Sequence, residues 1–311
     1  MVPGRSRPRV VVICGPTALG KTTAAIELAE IFDGEIVGAD SMQIYKHMDI
    51  GTAKPTQKET ARVKHHMIDI IDPDERFDAR QYAALARETI EMLYHRNKLP
   101  FVVGGTGFYI KALLNGLFET ESTEEHIRKG LKKEADSYGI AVLYARLCRL
   151  DPDAANKIHP NDKYRVVRAL EVHARTGKPL SAYHKAHGFK DHPFVVIKIG
   201  LHIRREMLYD RINKRVDAMI GSGLLDEVKG LLAMGCSPES KSMQSIGYRH
   251  MVDFIKGDSS WEETVRTLKR DTRRYAKRQM TWFGADPEII WKAPDEMQDI
   301  KTLINKFLQN E

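Results

Sequence analysis

The sequence predicts an α/β fold, a P-loop NTPase-like, mostly parallel sheet that carries a helical insertion domain. Three observations predict it. The apolar run Val10–Cys14 leads straight into Gly15-Pro16-Thr17-Ala18-Leu19-Gly20-Lys21-Thr22, a G-x-x-x-x-G-K-[ST] loop, and then into a helix-like stretch, Ala24–Ala29. Two further strand-like runs end in turns rich in glycine or polar side chains, at Asp40 and at Gly104–Gly107, which is where open parallel sheets bind ligands. The strand-and-helix alternation stops near Phe118 and a strand resumes near Phe194, so the segment between reads as an insertion. The expected division is a core of residues 1–117 and 193–311 with an inserted domain at 118–192.

The first element carries the clearest chemistry. A loop of this spacing points successive backbone N–H groups and a helix N-terminus at one place, which makes a polyphosphate site and the signature of ATP-binding and other nucleotide-binding proteins. Lys21 adds a mobile positive charge and Thr22 a hydroxyl suited to Mg²⁺. The second strand, Gly34–Ala39, runs into Asp40-Ser41-Met42-Gln43-Ile44-Tyr45. Asp40 at that strand end is placed to accept a proton or to hold a metal through water. It can equally cap the turn that follows, a task that Ser41 could take instead. The next strand, Leu99–Val103, ends in Gly104-Gly105-Thr106-Gly107. Glycines there let backbone approach a ligand closely and Thr106 can donate or accept a hydrogen bond, although a glycine-rich turn is also ordinary turn chemistry.

The insertion opens on Thr120-Glu121-Ser122-Thr123-Glu124-Glu125 and continues as amphipathic helices. After it, Phe194–Leu201 reads as a strand, followed by a helix with Arg204, Arg211 and Arg215 close to one face. Between Thr264 and Met280 seven basic residues accompany one acidic residue, Asp271. On a helical wheel they occupy about half the circumference, with Val265, Leu268 and Tyr275 opposite. Such a stripe is either a solvated face or a phosphate-facing one.

Composition narrows the classes. The chain has 311 residues, enough for a substantial core, and 49 Lys plus Arg against 42 Asp plus Glu give +7, which suits a polyanionic partner. The three cysteines, Cys14, Cys148 and Cys236, form no CxxC pair, so neither a disulfide framework nor a zinc module is indicated. His65-His66 are neighbours that point apart on an extended segment, which argues against a shared metal. Met1–Arg9 is polar and basic, and no apolar run approaches the roughly 18 residues a membrane span requires. A cytoplasmic protein with no membrane association is expected, and no feature points to a protein partner.

Taken together, Gly-Pro-Thr-Ala-x-Gly-Lys-Thr at 15–22, Asp-Ser-Met-Gln-Ile-Tyr at 40–45, Gly51-Thr52-Ala53-Lys54-Pro55, His65-His66-Met67-Ile68-Asp69 and Val103-Gly104-Gly105-Thr106-Gly107 resemble one family. His159-Pro160-Asn161-Asp162, Arg168-Ala169-Leu170-Glu171-Val172, Ser245-Ile246-Gly247-Tyr248 and Arg274–Phe283 extend the match along nearly the whole chain. The sequence is similar to the tRNA dimethylallyltransferases, also called tRNA isopentenyltransferases or IPP transferases, in their bacterial form. That resemblance implies transfer of a dimethylallyl group from dimethylallyl diphosphate to N6 of the adenosine at position 37, next to the anticodon.

Under that reading the loop, Gly15 through Thr22, holds a diphosphate leaving group. Lys21, the loop amides and Mg²⁺ on Thr22 neutralise its charge, while Asp40 takes the amine proton beside Thr106. The target base is flipped from its stack, and Met42, Gln43 and Tyr45 are candidates to line its channel or to pack its rim. The family pattern implies a functional arginine in the helix from residue 204, assigned to Arg211, where salt bridges to Glu206 or Asp210 offer a competing explanation. It also implies that the insertion grips the tRNA anticodon stem-loop through Arg128, Lys163, Arg165 and Arg168, and that Asp40, Ser41, Met42, Gln43, Thr106 and Tyr164 are further tRNA contacts. Two positions depart from the pattern: Leu19 stands in place of a common serine, and Lys163-Tyr164 in place of Pro-Gln. Tyr164 is left either to stack on a base or to pack inside. Competing classes are a P-loop kinase using ATP, a prenyltransferase acting on free adenine nucleotide, and a tRNA-binding module without catalysis.

Overall fold

The computed structural model describes residues 7–117, 125–188 and 191–309. Most of the acidic run that opens the insertion, 120–124, and the first six residues lie outside them. The chain divides into two compact units, Met1–Leu114 with His192–Glu311, and Asn115–Asp191.

In the first unit the elements follow the alternation the sequence shows: β1 (Arg9–Cys14), α1 (Lys21–Ile31), β2 (Gly34–Gly38), α2 (Gln57–Arg62), β3 (His65–His66), α3 (Ala79–His95), β4 (Leu99–Gly104) and α4 (Gly107–Asn115). The second unit contributes α5 (Glu125–Tyr138), α6 (Ile140–Leu150), α7 (Pro152–Ala155), α8 (Lys163–Thr176) and α9 (Leu180–His187). The first unit then resumes with β5 (Val195–Leu201), α10 (Arg205–Gly221), α11 (Leu224–Ala233), α12 (Tyr248–Lys256), α13 (Trp261–Gly284), β6 (Ile289–Lys292) and α14 (Met297–Gln309).

The six strands form one sheet in the order β3-β2-β4-β1-β5-β6, and every neighbouring pair is parallel. β1 lies inside the sheet between β4 and β5, which explains why its residues Val10 to Cys14 are all at most 1% exposed. A strand covered on both faces reads as an unbroken apolar run. α1 packs on it through Ala24, Ala25, Ile26, Leu28 and Ala29. The order places β2, β4 and β1 side by side, so the turns after these three strands fall on one rim at the carboxyl edge of the sheet. The two-residue β3 and the short β6 are not signalled by any long apolar run.

The second unit has its own core, built from Leu131, Leu143, Leu147, Val166, Val167, Leu170 and smaller neighbours on α5, α6 and α8. Asp151, buried, fixes its helix joints by accepting from the N–H groups of Ala154 at 3.0 Å and Ser181 at 2.9 Å.

Candidate active site at the strand-end rim

The phosphate loop takes the backbone form its glycines permit. Gly15 and Gly20 have φ of 130° and 76°, and Ala18 joins them in the left-handed region at 65°. A Cβ on Gly15 would meet the Leu201 carbonyl oxygen at 2.6 Å, so the loop also needs glycine to pass the end of β5. Lys21 starts α1 and bends back to donate to the Pro16 carbonyl at 2.7 Å. Burial, and then the charge of Arg215, bring its pKa down to about 8, against the opposing pull of Asp40. Arg215 is itself lowered by burial and supported by Asp40. Two half-buried cations and the half-buried Asp40 therefore share one corner.

Asp40 leaves β2 through Ala39, whose N–H donates to Val103 at 2.8 Å and whose carbonyl accepts from Thr106 N–H at 3.1 Å. These bonds bring the ends of β2 and β4 so close that a Cβ on Gly104 would lie 2.1 Å from the Ala39 oxygen. One Asp40 oxygen, Oδ1, accepts from the Met42 N–H at 2.9 Å. The capping role is thus filled by Asp40 itself, with no helix after it, and Ser41 is engaged elsewhere. Ser41 N–H donates to Thr106 Oγ1 at 3.0 Å. Thr106 is also bonded to the Tyr275 hydroxyl, which burial and Asp40 push upward in pKa. Tyr275, expected on the plain apolar back of its helix, is instead part of the site.

The other residues expected here sort differently. Gln43 spends its amide on the carbonyls of Thr52 at 3.2 Å and Ala53 at 3.1 Å, and Tyr45 is wholly buried, so both shape the loop from within. Met42 is half-buried at the rim. Arg211, the residue assigned from α10, lies exposed on the outer side, whereas Arg215 is the α10 arginine that faces Asp40 and Lys21. One further helical turn separates them, which the face shared by 204, 211 and 215 does not resolve. His66 pairs with Glu35 at 2.7 Å and His65 with the Val63 carbonyl, so the two point apart and hold the sheet edge. Cys14, buried at the end of β1, is driven up to about 12 by its burial and is no thiolate nucleophile.

Gln279 is a residue of the site that the sequence motifs do not single out. Buried on α13, it accepts from the Thr17 N–H at 3.0 Å and donates to the Gly105 carbonyl at 2.8 Å, joining the phosphate loop to the glycine turn after β4. A buried amide on the apolar side of an amphipathic helix was the available signal. The basic stripe of the same helix is only partly open. Lys269 pairs with Asp217 and Arg273 donates to Asn213 at 2.6 Å, while Arg270 binds Asp271. Burial resists the charge on Asp271, but hydrogen bonds from Arg270 and Arg249 outweigh it and hold the carboxyl at about 2. Arg274, Lys277 and Arg278 remain exposed.

In the helical unit Arg128 and Arg168 both contact Glu171, at 3.2 and 3.0 Å, and Glu171 is only 2% exposed. Tyr164 is 71% exposed and stands under the Arg128 guanidinium, which removes the packed reading of that residue. Arg165 contacts Asp162 at 3.4 Å and Lys163 pairs with Asp136.

The site can bind a polyphosphate at the loop and accept a proton on the free Asp40 oxygen. Among the described residues no cluster of three or more acidic, His or Cys groups could hold a metal ion. A metal here would draw its ligands mainly from phosphate and water, with hard oxygens from Thr22 and Asp40, a donor set that suits Mg²⁺.

Comparison with known proteins agrees in sequence and in fold. The IPP transferase family model matches residues 43–286. A tRNA dimethylallyltransferase of Desulfosudis oleivorans is 54% identical over 98% of this chain and 97% of its own, and one of Desulfatibacillum aliphaticivorans is 52% identical over 98% and 99%. The crystal structure of a tRNA isopentenylpyrophosphate transferase from Bacillus halodurans is similar with a TM-score of 0.73 and 40% identity, covering 98% of this chain and 97% of that one. A eukaryotic dimethylallyltransferase captured acting on tRNA reaches a TM-score of 0.78 at 30% identity, over 96% of this chain and 77% of that one.

Proposed function

The chain belongs to the IPP transferase family, and on that premise we infer that it transfers a dimethylallyl group to tRNA, with dimethylallyl diphosphate as donor and N6 of adenosine 37 as acceptor. The observation that carries the reading is the corner where Lys21 and Arg215, both half-buried, face Asp40 beside a phosphate loop. An excess of partly desolvated positive charge fits an anionic ligand.

The donor's diphosphate lies on the loop amides and draws the Lys21 ammonium off the Pro16 carbonyl. As the allylic C–O bond breaks, the leaving diphosphate gains charge that Lys21, Arg215 and the loop N–H groups stabilise. The N6 lone pair closes on the allylic carbon, and the proton it sheds passes to Asp40, whose other oxygen stays fixed by the Met42 N–H. Thr106, held by Ser41 and Tyr275, keeps that carboxylate and the acceptor base in line. Thr22 and Asp40 would hold a Mg²⁺ ion, whose chemistry here is to withdraw charge from the diphosphate. The helical unit, with Arg128, Tyr164, Arg165 and Arg168, supplies contacts to the anticodon stem-loop. Among the described residues no helix is long and apolar enough to cross a membrane, in keeping with work on tRNA in the cytoplasm.

Incubating the protein with labelled dimethylallyl diphosphate, Mg²⁺ and either unmodified tRNA or AMP tests the reading. Label in tRNA, located at adenosine 37 by nuclease mapping and lost with chelator, is the expected result. Label in AMP alone, or hydrolysis of ATP in its place, overturns it.

A further inference from the structure

Extruding an adenosine from its stack leaves the neighbouring base with one face bare, at a cost that some other surface has to offset. The rim holds an aromatic surface in the right place. Phe108 is 48% exposed and Trp282 40% exposed, and their rings meet edge to face at 6.3 Å and 88°. Phe108 follows Thr106 by two residues on α4. Trp282 follows Tyr275 by seven on α13, so the helix face that touches Thr106 through Tyr275 continues outward to Trp282. Arg278 sits on that face between them, over the Tyr275 ring at 5.7 Å, and Lys277 beside it is exposed.

We propose that Phe108 and Trp282 form a stacking platform for the nucleotide adjacent to the flipped adenosine, with Lys277 and Arg278 on its phosphates. The proposal rests on the tRNA reading of the site. Single exposed apolar residues are ordinary on a protein surface; here two large aromatic rings sit together, next to a residue of the site and flanked by cations, the combination that binds single-stranded nucleic acid. The position of the indole is set by Gly107, where a Cβ would lie 2.1 Å from the Trp282 ring. Gly107 thus lets the ring come close to the backbone beside Thr106.

The test is equilibrium binding of an anticodon stem-loop RNA, carrying 2-aminopurine beside the target adenosine, together with the KM for dimethylallyl diphosphate. The two rings are perpendicular, so one carries the stacked base and the other braces it; Trp282→Ala and Phe108→Ala are each expected to weaken RNA binding by up to about tenfold, the worth of that single base-aromatic stack. Phe108→Leu, which keeps apolar bulk, should weaken it as well, and Trp282→Phe should stay within about threefold. Gly107→Ala should reproduce the loss with both rings retained. The donor KM should not move in the variants that melt like the parent. Unchanged RNA affinity with a raised donor KM would assign the rings to the donor's hydrocarbon and overturn the platform, as would no change in either quantity. A parent protein that fails to bind the RNA would overturn the tRNA reading itself.

Discussion

At the rim of the core two half-buried cations, Lys21 and Arg215, face Asp40, whereas the helical unit holds a fully buried anion, Glu171, in contact with Arg128 and Arg168. The arrangements serve different ends. A buried carboxylate with two guanidinium partners is already satisfied, and its pairing with Arg128 joins α5 to α8. A half-buried lysine near a half-buried arginine, with Asp40 as the shared counter-charge, is only partly compensated, and the lowered pKa of Lys21 follows from that. Charge that the fold leaves uncompensated marks where a ligand of opposite sign belongs, and charge that it pairs marks where the chain holds itself together.

The sharpest way to break this comparison is to remove the partly compensated lysine. Lys21→Met should lower kcat/KM by about 10²–10³. Its effect on the free protein should have the opposite sign. Burial sets Lys21 below the ordinary value of 10.5, so below about pH 8 its protonated form costs stability, a cost that fades as pH rises from about 8 to 10.5. Thermal melts should show Lys21→Met gaining on the parent at pH 7 and losing that advantage by pH 10.5. Diphosphate binding at pH 8 should take up protons, readable by calorimetry in buffers of different ionisation enthalpy.

The two arginines of α10 sharpen it next. Arg215→Ala should cost roughly 10- to 100-fold in kcat/KM and resist rescue by lysine, while Arg211→Ala should stay within about twofold. Reversal of that order in steady-state kinetics would contradict the placement of Arg215. A smaller effect is expected at Gly105, where a Cβ would lie 2.2 Å from Gln279 Nε2. Gly105→Ala should push the amide off Thr17 and raise the donor KM several-fold, on the order of the roughly 1 kcal/mol of one hydrogen bond, with RNA affinity unchanged. Glu171→Gln should act on the other side of the comparison. Urea unfolding should show a loss of about 2 kcal/mol while the donor KM remains as it was.

Much of this was legible because local sequence and topology agree. The run Val10–Cys14 and its glycine loop specify a strand, a turn and a helix without long-range help, and the turns at Asp40 and Thr106 follow from strand ends on one sheet edge. What was not legible depends on which side of a helix meets which neighbour. Arg211 and Arg215 are a single turn apart, and only the packing of α10 decides that 215 faces the loop. Tyr275 and Gln279 looked like the back of a basic helix, yet that back lies against the rim and their polar ends complete the site. Ser41 illustrates the same limit, since its bond to Thr106 spans 65 residues. The two-residue β3 exists only because β2 offers it a partner.

Central to the proposed transfer is Asp40, the group proposed to take the proton from the acceptor amine while the loop holds the diphosphate. Single-turnover transfer from labelled dimethylallyl diphosphate to tRNA, compared between the parent and Asp40→Asn with both substrates saturating, measures that step alone. Asparagine can still accept the Met42 N–H, so the turn should survive. The predicted result is a fall of about 10²–10⁴ in the transfer rate, with dissociation constants for donor and tRNA within about threefold of the parent. A transfer rate close to the parent's in Asp40→Asn would contradict that role of Asp40.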